Sequence, residues 1–144
     1  MTDAEQDRAE KLQAAGLTLL GTVGEVNGVT PKMAWDRVVR GDDPAVVVDE
    51  DADLSEVDTA WLGLTQERGF FGEDGEFHVS TTGATGLPWA RVRLSNEPRL
   101  ASTLVVYPGE PEFVALSADG SKACGVTTEE HGFWIMWREF SPAS

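Results

Sequence analysis

Two histidines, a lone cysteine and a dense run of carboxylates are the residues of this 144-residue chain whose types could support chemistry. His78 stands two positions before Ser80, so in a strand both point to one face, a pairing that invites comparison with a hydrolase. No G-x-S-x-G elbow is present, however, and a serine lying parallel to an imidazole is not aimed at it. His78 reads as a polar residue on the exposed face of a sheet. His131, beside Glu129 and Glu130 in an expected turn, reads as a solvated imidazole whose neighbours favour its charged form. Zinc catalysis calls for three protein ligands including imidazole, and two histidines supply too little. Cys124 excludes an internal disulfide, and its small neighbours in an expected strand point to a buried, inert thiol. Glu110 and Glu112 have the look of a glycosidase pair, but Pro108 and Pro111 place them in a hairpin turn as solubilising groups. Gly21 and Gly24 lack the spacing of a phosphate loop. No cofactor or metal is expected.

The carboxylates are the stronger signal. Asp42, Asp43, Asp49, Glu50, Asp51, Asp53, Glu56 and Asp58 follow one another with no Lys or Arg between them. The Asp49, Asp51, Asp53 spacing matches the first ligand positions of a calcium loop. Leu54 then stands where the sharp turn needs glycine, and Ala60 where the bidentate glutamate belongs. The run is therefore expected as a solvated acidic loop leading into a helix capped by Ser55, and as the surface that contacts a basic partner. Trp61, Phe70 and Phe71 lie nearest to it in sequence and are the aromatics expected to anchor such a contact.

Bulk charge agrees. Twenty-five acidic against eleven basic residues give −14, with a pI near 4.3. Such a surface repels nucleic-acid phosphates and anionic membranes and favours a cationic protein. An apolar fraction of 41% and five tryptophans indicate a folded chain, of a size suited to one domain spanning residues 1–144. No signal peptide or spanning segment is legible, which implies a cytoplasmic protein. The functional expectation is a non-enzymatic acidic inhibitor, comparable in character to immunity proteins and antitoxins, that neutralises a basic toxin enzyme. The alternative is a small enzyme or small-molecule-binding domain with a sheet–helix pocket containing His78.

The elements that must position these groups follow from periodicity. Thr2 and Glu5 form a capping box for a helix over Asp3–Ala15, whose few apolar residues predict loose packing and whose stop is Gly16. Leu17–Val26 reads as a strand weakened by its glycines. Thr30 and Pro31 open a second helix, with Gly41 closing it. Pro44–Val48 reads as a buried strand, and Thr59–Thr65 leans to strand through alternation. Segments Glu76–Thr82, Trp89–Ser95, Ser102–Tyr107, Glu112–Ser117 and Ser121–Thr127 follow at short intervals, with Asp119-Gly120 as a hairpin turn. His131–Phe140 is apolar on both faces: Phe133, Ile135 and Trp137 on one, Trp134, Met136 and Phe140 on the other. That pattern places it near the middle of a sheet covered on both sides. The fold class is α+β: an antiparallel meander of about six strands, with two or three mostly N-terminal helices.

Overall fold

A computed structural model describes residues 3–40, 43–82, 86–95 and 97–140. The chain forms an α+β fold around a seven-stranded sheet whose seven strands all pair antiparallel, in the order β1-β4-β3-β7-β8-β9-β2. Helices are α1 (Asp3–Ala14), α2 (Pro31–Val39), α3 (Leu54–Glu67) and α4 (Leu100–Thr103), with a 3-10 turn at Glu73–Gly75. Strands are β1 (Leu17–Val23), β2 (Val46–Asp49), β3 (Glu76–Thr81), β4 (Trp89–Leu94), β7 (Phe113–Leu116), β8 (Lys122–Glu129) and β9 (Gly132–Glu139). A separate two-stranded ribbon joins β5 (Val105–Tyr107) to β6 (Glu110–Pro111).

Two apolar clusters lie on opposite faces of the sheet, because strand side chains alternate. Phe77, Val79, Phe113, Ala115, Cys124, Val126 and Ile135 meet α1, α3 and α4 on one face. Val114, Leu116, Ala123 and Met136 meet Ala34, Trp35 and Val38 of α2 on the other. The two expected faces of β9 fall one into each cluster. Its place is one strand in from the edge, between β8 and β2, not mid-sheet.

Helix α2 begins as its sequence dictates: Thr30 Oγ1 accepts from the Met33 N–H at 3.2 Å, and Pro31 occupies the first turn. Gly41 and the capping residue Thr2 lie outside the described residues. Helix α1 packs more firmly than its composition suggests. Leu12 and Ala15 are fully buried, and the buried Arg8 donates to the Pro88 carbonyl at 2.6 Å.

Four expectations about local structure are corrected. Thr59–Thr65 belongs to α3, because Val57, Trp61 and Leu64 recur at helical spacing and bury together, outweighing a short β-like alternation. The helix starts two residues earlier than a Ser55 cap implies, with Asp53 at the N-cap and no side-chain cap bond. Ser102 and its neighbours form α4, and only Val105–Tyr107 is extended. Finally, β2 is an edge strand rather than a buried one. Val46 and Val48 are half-buried toward α3, whereas Val47 is 60% exposed.

Candidate functional site

The strand that interrupts the acidic run also divides it. Asp43 precedes β2 and lies beside Arg138, near the end of β9, where Arg138 Nη2 donates to Asp43 Oδ1 at 2.9 Å. Asp49 ends β2 opposite Gly132, at the start of β9. Six residues of extended β9 separate the two positions, a distance of about 20 Å. Arg138 is held by two further bonds. Its Nε binds the Arg37 carbonyl and its Nη1 the Trp137 carbonyl, both at 2.9 Å. It therefore clamps α2 and the segment before β2 to β9, and Asp43 is part of that clamp. Asp42 lies outside the described residues.

Asp58 leaves the patch for a different reason. Its Oδ1 accepts from the Ala101 N–H at 2.6 Å, and its Oδ2 accepts from the Ser102 N–H and hydroxyl at 3.3 and 2.5 Å. The carboxylate thus caps α4 and docks it on α3. Burial raises its pKa above the ordinary value, against the opposing effect of those donors.

Asp49, Glu50, Asp51, Asp53 and Glu56 remain together and exposed, in the turn from β2 into α3. Asp49 Oδ1 accepts from the Asp51 N–H at 2.9 Å, which folds the turn back on itself. The register adds two carboxylates that sequence reasoning assigned elsewhere. Glu129 and Gly132 close the β8–β9 hairpin, and Gly132 also faces Asp49, so exposed Glu129 and Glu130 lie next to the β2–α3 turn. The only signal for this neighbourhood is the pairing of β2 with β9, which no local motif announces. Among the described residues, no Lys or Arg forms an ion pair with any of these seven carboxylates, and the nearest basic group is His131, 3.9 Å from Glu130.

The expected aromatic anchors do not sit on this surface. Trp61 and Phe70 are each 1% exposed, in the core between α3 and the sheet, and Phe71 is half-buried against them. The glycines flanking Phe70-Phe71 suggest an exposed loop. Instead the loop turns the rings inward, where Trp61, Phe77 and each other provide edge-on or tilted contacts at 5.3 to 6.2 Å.

His78 is also buried rather than exposed, at 8%. It lies on the interior strand β3, and its Nδ1 is 3.2 Å from the Ser117 carbonyl. A carbonyl only accepts, so Nδ1 carries the proton of the neutral ring. Ser80 is not its partner: Ser80 Oγ accepts from Trp35 Nε1 at 2.8 Å. Burial lowers the His78 pKa below 6.5, with Arg91 adding to the effect and the Ser117 and Leu116 carbonyls opposing it. The unfolded chain then binds the proton more tightly, so stability present above about pH 6.5 falls as pH drops toward the folded-state value. His78→Gln, which keeps a donor for Ser117, is expected to remove that decline below about pH 6.5 in urea denaturation. An equal decline in the variant would assign it to other groups.

The cavity beside His78 is lined by Leu20, Glu76, Arg91 and Ala118 and holds about 120 Å³. A shallow concavity of about 520 Å³ lies over Arg37, Arg40, Asp43, Trp137, Arg138 and Glu139. Its charges are largely matched, since Arg40 pairs with Asp36 and Arg138 with Asp43. Cys124 is fully buried, and burial pushes its thiol pKa far up, so no thiolate is available. Among the described residues, no three His, Cys, Asp or Glu side chains converge as metal ligands, and no helix is long and apolar enough to cross a membrane.

No protein-family model, curated protein or solved structure matches the chain.

Proposed function

We propose that this chain is a non-enzymatic acidic binding protein that neutralises a basic partner, in the manner of an immunity protein or antitoxin acting on a toxin enzyme. The observation that carries the reading is the set of seven exposed carboxylates that, among the described residues, have no Lys or Arg ion-pair partner where β2, α3 and the β8–β9 hairpin meet. Carboxylates held by backbone register, without local counter-charges, attract a cationic groove at long range and raise the rate of encounter. Such a surface works by presentation and needs no cleft. The alternative, a ligand pocket around His78, has only about 120 Å³ to offer, against the ~300 Å³ at the lower end of small-molecule sites.

The test is purification of bound protein from the native host at low and moderate salt, followed by assay of the captured protein with and without this chain. Expected is a stoichiometric basic enzyme, inhibited in the complex. The combined variant Asp49→Lys, Asp51→Lys, Glu129→Lys and Glu130→Lys should weaken the complex by ~100-fold or more, mainly through slower association. Asp58 is left intact because its loss would undock α4. A partner retained at full affinity by that variant would remove this surface from consideration.

A further inference from the structure

The two edges of the sheet are unlike. On one side, β1 carries a register irregularity between Leu19 and Gly21, which interrupts its ladder. On the other, β2 pairs regularly with β9 through all four of its residues and ends the sheet. Alternate N–H and C=O groups of an edge strand point away from its neighbour, so β2 can template a further strand. Beside it lies an uncovered apolar ledge. Val47 faces its cross-strand partner Trp134, which is half-buried, and Val39 at the end of α2 lines a cavity of about 120 Å³ with Trp134. Helix α2 covers β7, β8 and β9, leaving Val47 60% and Val39 54% exposed.

We infer that β2 receives an extended segment of a cationic protein as an eighth strand, with apolar side chains on the Val47–Trp134–Val39 ledge and Lys or Arg beside Asp49, Glu50 and Glu129. This rests on the proposed acidic binding surface and adds to it the shape of what binds. Charge selects the occupant. A second copy would bring another chain of −14 against the same end of the sheet, whereas a strand bearing Lys or Arg meets carboxylates that have no such ion-pair partner among the described residues. Strand addition supplies main-chain bonds for affinity, and pockets for alternate side chains give it selectivity.

The test uses a capped heptapeptide alternating Lys and Val, a version with N-methylated valines that cannot donate, and a scrambled version with its valines in one block. Hydrogen exchange is followed at residues 46–49, with affinities measured at low salt. The alternating peptide should slow exchange at the outward amides of β2. N-methylation, scrambling or Val47→Lys should each weaken binding by ~10-fold. Equal affinity for all three peptides without protection of β2 overturns the strand inference and leaves the acidic-surface reading standing. Absence of binding by every peptide overturns the inference, and the host purification then decides the surface reading separately. Protection that rises with protein concentration in the absence of peptide assigns the edge to a second copy and also overturns it.

Discussion

Trp61→Ala is expected to destabilise the fold by about 3–5 kcal/mol, the range for removing a buried large aromatic side chain. The indole is 1% exposed and lies where α3 meets the sheet. Phe70, Phe71, Phe77 and Phe113 surround it with ring centroids 5.7 to 6.2 Å away. Its Nε1 donates to the Cys124 carbonyl at 3.4 Å, joining α3 to β8. Truncation removes these ring contacts and leaves a cavity that the Phe70–Phe71 loop and strands β3, β7 and β8 would have to collapse to fill. For a domain of this size each kcal/mol shifts Tm by roughly 2–4 °C, so a drop of about 6–20 °C is the expected reading by calorimetry. Trp61→Phe keeps a ring in the site and should lose less. A Tm for Trp61→Ala within about 2 °C of the parent would mean that the aromatic cluster is not the fold's anchor.

The same residue shows where sequence reading reached and where it stopped. The sheet was legible because β7, β8 and β9 are short, strongly apolar and separated by turn residues, and because their alternation continues through the whole segment. Helix α2 was legible because Thr30 and Pro31 state its start in two residues. The segment around Trp61 was not, since Trp61-Leu-Gly-Leu satisfies a two-residue period locally, while the helical period shows only when Val57, Trp61 and Leu64 are taken together. Burial was likewise hidden at Phe70-Phe71. Glycines on both sides permit an exposed turn, and only the cluster receiving the rings decides otherwise.

For the site, adjacency in sequence misled in both directions. Eight carboxylates in one run read as one surface, yet an extended strand carries Asp43 about 20 Å from Asp49, and α4 takes the Asp58 side chain as its cap. Glu129 and Glu130, some 80 positions later, join the surface through a single cross-strand pair. Local chemistry marks the acidic residues, and register, a property of the whole sheet, decides which of them lie together.

That dependence on register gives the second large effect. Gly132→Ala removes no carboxylate and is expected both to destabilise the protein and to impair binding. A Cβ at Gly132 would lie 2.6 Å from the Val48 carbonyl oxygen and 3.8 Å from the Glu50 nitrogen. The first contact is with backbone of the paired strand, so no side-chain rotation relieves it. Either β2 shifts away from β9 or the hairpin turn moves, and overpacking of this kind costs about 1–3 kcal/mol. Both responses separate Asp49 and Glu50 from Glu129 and Glu130. Faster hydrogen exchange at the β2–β9 pairs should therefore accompany the loss of stability, while the core around Trp61 stays protected. If the acidic surface binds as proposed, affinity for the basic partner should fall by ~10-fold or more with net charge unchanged at −14. Full affinity in a variant whose β2–β9 pairing is loosened would show that overall charge suffices and that this arrangement of carboxylates is not what the partner reads.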